Sequence, residues 1–467
     1  SSLIKYQATK INIEDISIEN LWENENINVT NFKKLNNFYW FFSLDLKSSK
    51  KKIQKIISDW ISKNHKYNLK SWEFDLTSKR IIAWLSNHKL TIEECNKDYL
   101  DLFNKLIKKQ TNHLMNEINN SNMIDDKIIG CSAIILVGLC YKKENKYLAY
   151  GLSVLKKISN LAFDGFGFPK SRNIKQLIFY LKYYILIREW FKEAQINVPD
   201  HVNETIYNLG QGYAFLWQNI KSDVLMNGNT LSNNKDFDEY LKRFGYKFKN
   251  ENLEFGGYTI LSNKKVSIVM DTGASPPLKF SSKYQSGALS FEINSNGKKL
   301  ISNCGFYEGQ IKKLVKLSKS TATQSTLIIS DTSSCQYKKY NKNYLLDNGL
   351  KILKKKIIFE DKYWKINASH DGYLKKLNAT HEREIEFYPD ESKFIGTDRI
   401  INKKNIINIK FDLRFHLEPN VKLMKTQDNK AIFIELDDEG WKFTCKNFDI
   451  SIDNGLYFGN KNSYIQN

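Results

Sequence analysis

Two hydrophobic periods divide the chain. Up to about residue 220 apolar positions recur at helical spacing, and from Phe255 onward they alternate with polar ones. Residues 48–63, 75–85, 99–118, 127–141, 146–159, 174–194 and 202–220 read as helices, with Asp75 or Thr77 as the cap of the second. Short polar linkers predict antiparallel neighbours, as in stacked helical hairpins. Residues 222–252 are polar and turn-rich, so the boundary belongs there: a helical domain over 1–235, then a β domain over 236–467. Strands are predicted at 258–261, 266–271, 288–293, 299–303, 325–330, 350–359, 363–369, 380–388, 406–415, 431–436, 441–443 and 448–452. So many evenly spaced strands indicate a large antiparallel sandwich. The fold class is thus α+β multidomain, and a groove between the domains is the default place for a ligand.

The stretch 162–190 combines a loop with a helix. Gly165 and Gly167 relax the backbone and Pro169 sets a turn. Leu177, Leu181, Tyr184, Ile185 and Arg188 then share one helix face. Ser171 as cap would put Arg172 and Asn173 on the first turn, where free N–H groups and the dipole favour an anion. A plain loop and core helix would show the same pattern.

Composition narrows the classes. With 41% hydrophobic and 26% charged residues the chain reads as a soluble globular protein, and no apolar run is long enough to span a membrane. The net charge of +20 comes almost wholly from lysine. It fits either a polyanion partner or a bias toward Lys, Asn and Ile. No basic cluster interleaved with aromatics appears, so nucleic acid is not an expected partner. The six cysteines are scattered without CxxC spacing and suit buried thiols at least as well as disulfides. The opening SSLIKYQATK has neither Met nor the apolar core of a signal peptide, so it does not reveal the compartment.

Chemistry concentrates in the β half. If the turn after residue 370 centres on Lys375-Lys376, His370 faces His381, about 5 Å apart at Cβ, with Arg383 and Asp371 nearby. Two surface histidines on a hairpin are the alternative to an acid/base cluster. No zinc-ligand spacing occurs, though His416 could join through the fold, so no metal or cofactor is expected. GxSxG, P-loop and dinucleotide motifs are absent, and Cys304 reads as a packed thiol.

Several stretches, in order, resemble the heparinase II/III family of polysaccharide lyases. They are Thr77 to Trp84, Ser171-Arg172-Asn173, Gly287 to Glu292, Asn303-Cys304-Gly305, Ser320 to Leu327, Ser369 to Tyr373 and Arg414 to Leu417. The resemblance implies an incomplete α/α toroid followed by a β-sandwich, β-elimination on an acidic, uronate-containing polysaccharide, and a periplasmic or cell-envelope setting. Such chemistry needs the uronate carboxylate neutralised, a base for the adjacent proton and an acid for the leaving oxygen. By resemblance Arg172 and Asn173 grip the carboxylate, Tyr284 or His370 is the base, His381 or Tyr373 assists, and Arg80 and Arg383 bind substrate. Three positions depart from the family: Gln285, Gln324 and the Pro169-Lys170 pair stand where relatives commonly carry histidine. Tyr284 or Tyr307 with the histidine pair would then move the protons, or the chain binds glycan without cleaving it. Oligomeric state is not legible.

Overall fold

The computed structural model describes residues 3–4, 10–17, 21–23, 27–232, 234–341, 343–402, 408–419, 421–460 and 464–466. Helices dominate up to Arg243 and antiparallel strands from Glu254 onward. The chain forms two compact units, one of residues 1–162, 179–207 and 235–246, the other of 163–178, 208–234 and 247–467.

The first unit is helical. Lys50–Asn64 is capped by Ser49 and Lys97–Glu117 by Asn96, each accepting a first-turn N–H. Phe74–Ser86 begins one residue before Asp75. Its cap position is Glu73, without a side-chain bond, and Asp75 instead pairs with Lys79 at 2.8 Å. Acidic residues on a first turn are favoured by the dipole, which explains the signal that suggested a cap there. Phe38, left-handed at φ 58°, packs edge-on against Phe41, Trp60 and Trp84 at centroid distances of 5.1, 6.0 and 5.1 Å. The helices Ile124–Cys140 and Asn145–Ala162 approach closely through glycine. A Cβ on Gly138 would lie 2.5 Å from the Leu148 nitrogen, and one on Gly151 2.7 Å from Ile135. Among the described residues no helix is long and apolar enough to cross a membrane.

The second unit is a sandwich. One sheet orders Glu254–Phe255, Tyr258–Ser262, Val266–Asp271, Phe291–Ser295 and Lys298–Ile301, all antiparallel. Another orders Lys393–Asn402, Ala379–Tyr388, Trp364–His370 and Ile352–Phe359. These two and the sheet Lys422–Lys425, Ala431–Leu436, Glu439–Thr444 share one core, including Ile268, Phe291, Ile366, Phe387 and Ile434. Several strands escape the sequence pattern, the longest being the hairpin Gln336–Tyr340 with Asn343–Asn348, and Lys393–Asn402. They are mostly exposed or half-buried, so no clean alternation marks them. Residues 448–452 form no strand. Of the predicted 406–415 strand, 406–407 lie outside the described residues and Phe411–Leu413 pairs with Leu327–Ile329.

Replacing Gly138 with Ala forces the Leu148 backbone away, so we expect about 1–3 kcal/mol of destabilisation. Urea unfolding of the variant beside the parent protein measures it.

Candidate active site

The loop 163–173 is built before anything binds to it. The Asp164 carboxylate accepts the N–H groups of Phe166 and Phe168, both at 2.9 Å, and Phe168 is wholly buried against Phe255 and Tyr258. Asn173, rather than Ser171, caps the helix Ile174–Glu193, its Oδ1 accepting the N–H of Lys175 at 2.9 Å and of Gln176 at 3.2 Å. Those N–H groups, expected from the sequence to await an anion, are therefore already satisfied. Ser171 Oγ accepts the Asn173 N–H and donates to Gln176. The Asn173 Nδ2 abuts Gly228, where a Cβ would sit 2.7 Å from it.

Arg172, at φ 59°, turns inward. Its Nε donates to Gly256 O, Nη1 to Gly273 O and Ala274 O, and Nη2 to Gly257 O and Asp271 Oδ1, the last at 2.7 Å. All five N–H groups of the guanidinium are thus donated within the chain. Burial alone would lower the Arg172 pKa, but Asp271 outweighs it and the charge is kept. Sequence reading placed Arg172 at a substrate carboxylate; here its anion is Asp271. That aspartate was not singled out, although it is the lone charge in the buried strand Val266–Asp271. Asn227 joins the same carboxylate at 3.0 Å and also donates to Tyr258 Oη at 2.7 Å.

Tyr284 lies beside this junction. It is 1% exposed, and its hydroxyl has no oxygen or nitrogen partner and sits against the Cys335 thiol. Burial first, then the charges around it, including Cys335 and Asp271, hold its pKa well above that of an ordinary phenol, so it is protonated at neutral pH. Its neighbour Gln285 is committed to structure. It accepts the Gly228 N–H at 3.0 Å and donates to Gly305 O at 3.0 Å and Ser318 O at 2.6 Å. Gln324, likewise buried, donates to Thr323 Oγ1. At the edge, Lys175 and Lys283 clasp Glu308 at 2.8 and 2.6 Å. Burial would raise that carboxyl, yet the two ammonium groups hold it below its usual range. Nothing in the sequence flagged these three. Tyr307 is buried against Phe458.

The strand register places His370 opposite His381, as the sequence predicts, although Leu374–Leu377 makes a helical turn rather than a tight two-residue one. Both rings are buried. The Gly372 N–H donates to His370 Nδ1 at 3.0 Å, so His370 Nε2 carries the proton and donates to His381 Nδ1 at 3.3 Å. His381 Nε2–H then donates to Asp398 Oδ1 at 2.6 Å. Burial lowers both imidazole pKa values. Asp398, on the strand missed in the sequence, also receives Arg383 through Nε at 2.8 Å and Nη2 at 3.1 Å. Arg383 Nη1 reaches Leu289 O and Ser325 O, both at 2.9 Å. Burial would raise the Asp398 carboxyl, but Arg383 and His381 hold it well below its ordinary value. Tyr373 is buried and donates to Leu327 O at 2.7 Å. Ser334, hydrogen-bonded to Ser286 and Thr321, fills the space beside Gly372.

Arg80 belongs to the core of the first unit. It stacks on Trp60 at 4.0 Å and donates to Asn36 O, Ser71 O, Thr77 and Gln110. Burial lowers its pKa to about 9. His416 donates to Ala322 O at 3.0 Å and meets Cys304 Sγ at 3.2 Å. Burial pushes the thiol up to about 12 and the imidazole down to about 4, a neutral packed pair. Among the described residues no group of three or more His, Cys, Asp or Glu converges as metal ligands.

Truncating Arg172 to Ala leaves Asp271 buried and unpaired, and about 3–5 kcal/mol of stability is expected to go; chemical denaturation reads it. The histidine pair makes a second prediction. An imidazole whose folded pKa is depressed stays neutral while the unfolded chain takes up its proton, so stability falls as pH drops below about 6.5. The slope is about 1.4 kcal/mol per pH unit for each histidine. A His370→Asn variant should show a shallower fall between pH 6.5 and 5 in denaturant titrations.

Comparison with known proteins now bears on these residues. Residues 249–466 match the family model described as heparinase II/III-like, C-terminal. No curated protein matches the chain in sequence. Among solved structures, heparan sulfate lyase HepC from Pedobacter heparinus aligns with a TM-score of 0.69 at 14% identity, covering 96% of this chain and 74% of that one. A crystal structure of heparinase III gives 0.71 at 16% identity, over 99% and 76% of the two chains. The heparinase III BT4657 gene product gives 0.73 at 14%, over 98% and 82%. At such identities the shared property is the fold, an incomplete α/α toroid followed by an antiparallel β-sandwich. Residues 249–466 thus match a heparinase II/III-like C-terminal region, and the chain shares the fold of these solved structures.

Proposed function

We propose that the protein is a polysaccharide lyase that cleaves an acidic, uronate-containing glycan by β-elimination. The observation that carries this reading is the Tyr284 hydroxyl, buried with no oxygen or nitrogen partner and within electrostatic reach of Arg172 and Asp271. A buried hydroxyl without an oxygen or nitrogen partner is uncommon and calls for a reason. A phenol that keeps its proton at neutral pH suits the acid half of the reaction, delivering that proton to the leaving glycosidic oxygen. Asn173 offers an amide, uncharged but polar, for the uronate carboxylate, so that charge developing beside it is stabilised. The basic half falls to His370, whose Nδ1 gives up the Gly372 N–H to take the proton. Lys175 and Lys283, half-exposed, favour approach of a polyanion. Here Arg172, Arg383 and Tyr373 hold the frame, and the substrate contacts expected of them pass to Asn173 and the lysines.

Incubation with a panel of uronate polymers, followed by absorbance of the unsaturated product, tests the reading. Tyr284→Phe is expected to lower kcat by about 10²–10⁴-fold with binding retained. No product from any polymer at high enzyme concentration overturns it.

One observation favours a second reading. Gln285 and Gln324 are amides with no acid–base chemistry near neutral pH, and Gln285 is bound on both sides to backbone. A catalytically degenerate glycan-binding protein of the cell envelope predicts retention of acidic polymers without product.

A further inference from the structure

The far end of the strand pair that carries Asp271 bears a cleft. Tyr258–Ser262 and Val266–Asp271 run antiparallel, so their connecting turn lies about 17 Å along the strands from Asp271. There the turn 263–265, the turn at Asn296-Gly297 and the end of the helix Asp200–Ile220 enclose about 440 Å³, within the usual range of small-molecule sites. The frame is pre-formed. Asn263 Oδ1 accepts the N–H groups of Lys265 at 2.9 Å and Val266 at 2.7 Å, and the Asn296 N–H donates to Lys265 O at 2.8 Å. Asn296 and Gly297 both have positive φ, the Asn-Gly geometry of a tight hairpin turn.

The lining is polar and basic. Lys221, Lys264 and Lys265 are exposed on it. Lys265 pairs with Glu439 at 3.2 Å. Asn294, on the wall, is 1% exposed: its Oδ1 accepts from Ser222, and its Nδ2, a buried donor, has no partner. Two negative features oppose an anion here, Glu439 and the helix C-terminus, the latter equivalent to about half a charge. Three ammonium groups outweigh them. Lys221 also takes a left-handed conformation, φ 58°, at a position where glycine is the usual residue, and here the chain carries a charge instead.

We infer that this cleft binds the carboxylate or sulfate of an acidic sugar residue, as a docking subsite separate from the candidate active site. That the oxyanion belongs to a sugar rests on the function proposed above; that the cleft takes an oxyanion does not. The lysines provide attraction, and Asn294 Nδ2 provides a directed donor at the wall, the Asn296 amide being held by Glu439.

The test uses the full chain and three probes: digalacturonate, its neutral counterpart digalactose, and inorganic sulfate. Calorimetry on the parent protein is expected to show digalacturonate binding that weakens with salt, none with digalactose, and competition by sulfate. The exposed double variant Lys221→Ala/Lys264→Ala should weaken binding at least tenfold while leaving turnover of short substrates unchanged. Tyr284→Phe should bind digalacturonate at the cleft as the parent does, which separates failure of this proposal from failure of the lyase reading. Unchanged affinity in the double variant, equal binding of digalactose, or no binding by the parent at millimolar probe overturns the inference. So does tighter binding of unrelated duplex DNA than of the sugar.

Discussion

The buried Arg172–Asp271 pair organises the second unit. Four pieces of chain distant in sequence meet on it: the loop before the long helix, the Asn227 turn, the Gly256-Gly257 turn and the segment after the strand ending at Asp271. A buried guanidinium is tolerable only with its donors met, and here every one has an acceptor. Asp271 in turn serves Arg172, Asn227 and its own Gly273 N–H. This pair fixes the chain beside Asn173, while Ser281, Tyr337 and the cluster around Cys335 hold Tyr284, so the residues bearing the proposed chemistry inherit their positions from groups that take no part in it.

A second fully bonded network, Arg383–Asp398–His381–His370, does the same for the strand pair behind it. Its hydrogen bonds run in one direction, from the Gly372 N–H to the Asp398 carboxylate, and leave both rings neutral. What the family resemblance presents as a list of functional side chains is, in this chain, largely a scaffold of buried ion pairs and hydrogen bonds, with the Tyr284 phenol left without an oxygen or nitrogen partner.

Much of this architecture was legible in the sequence. The change of hydrophobic period separates helices from strands, and pairing about Lys375-Lys376 puts His370 against His381 in the observed register. The cap of the long helix was misplaced by two residues, since Ser and Asn are both good caps and Arg172 between them adopts a left-handed turn that no local rule predicts. Asp398 was invisible because its strand lies at a sheet edge and shows little alternation. The partners of Arg172 were invisible for another reason: they are mostly backbone carbonyls some 85 to 100 positions away, and a carbonyl has no sequence signature.

Gln285 staples three separate backbone segments through an amide. An imidazole in that place would gain or lose a proton near neutrality and change which of its atoms donate. The amide has no such second state. The seam it closes is therefore proton-silent: its geometry stays the same in acidic and neutral surroundings, while acid acts elsewhere, on buried imidazoles such as the His370–His381 pair and His416.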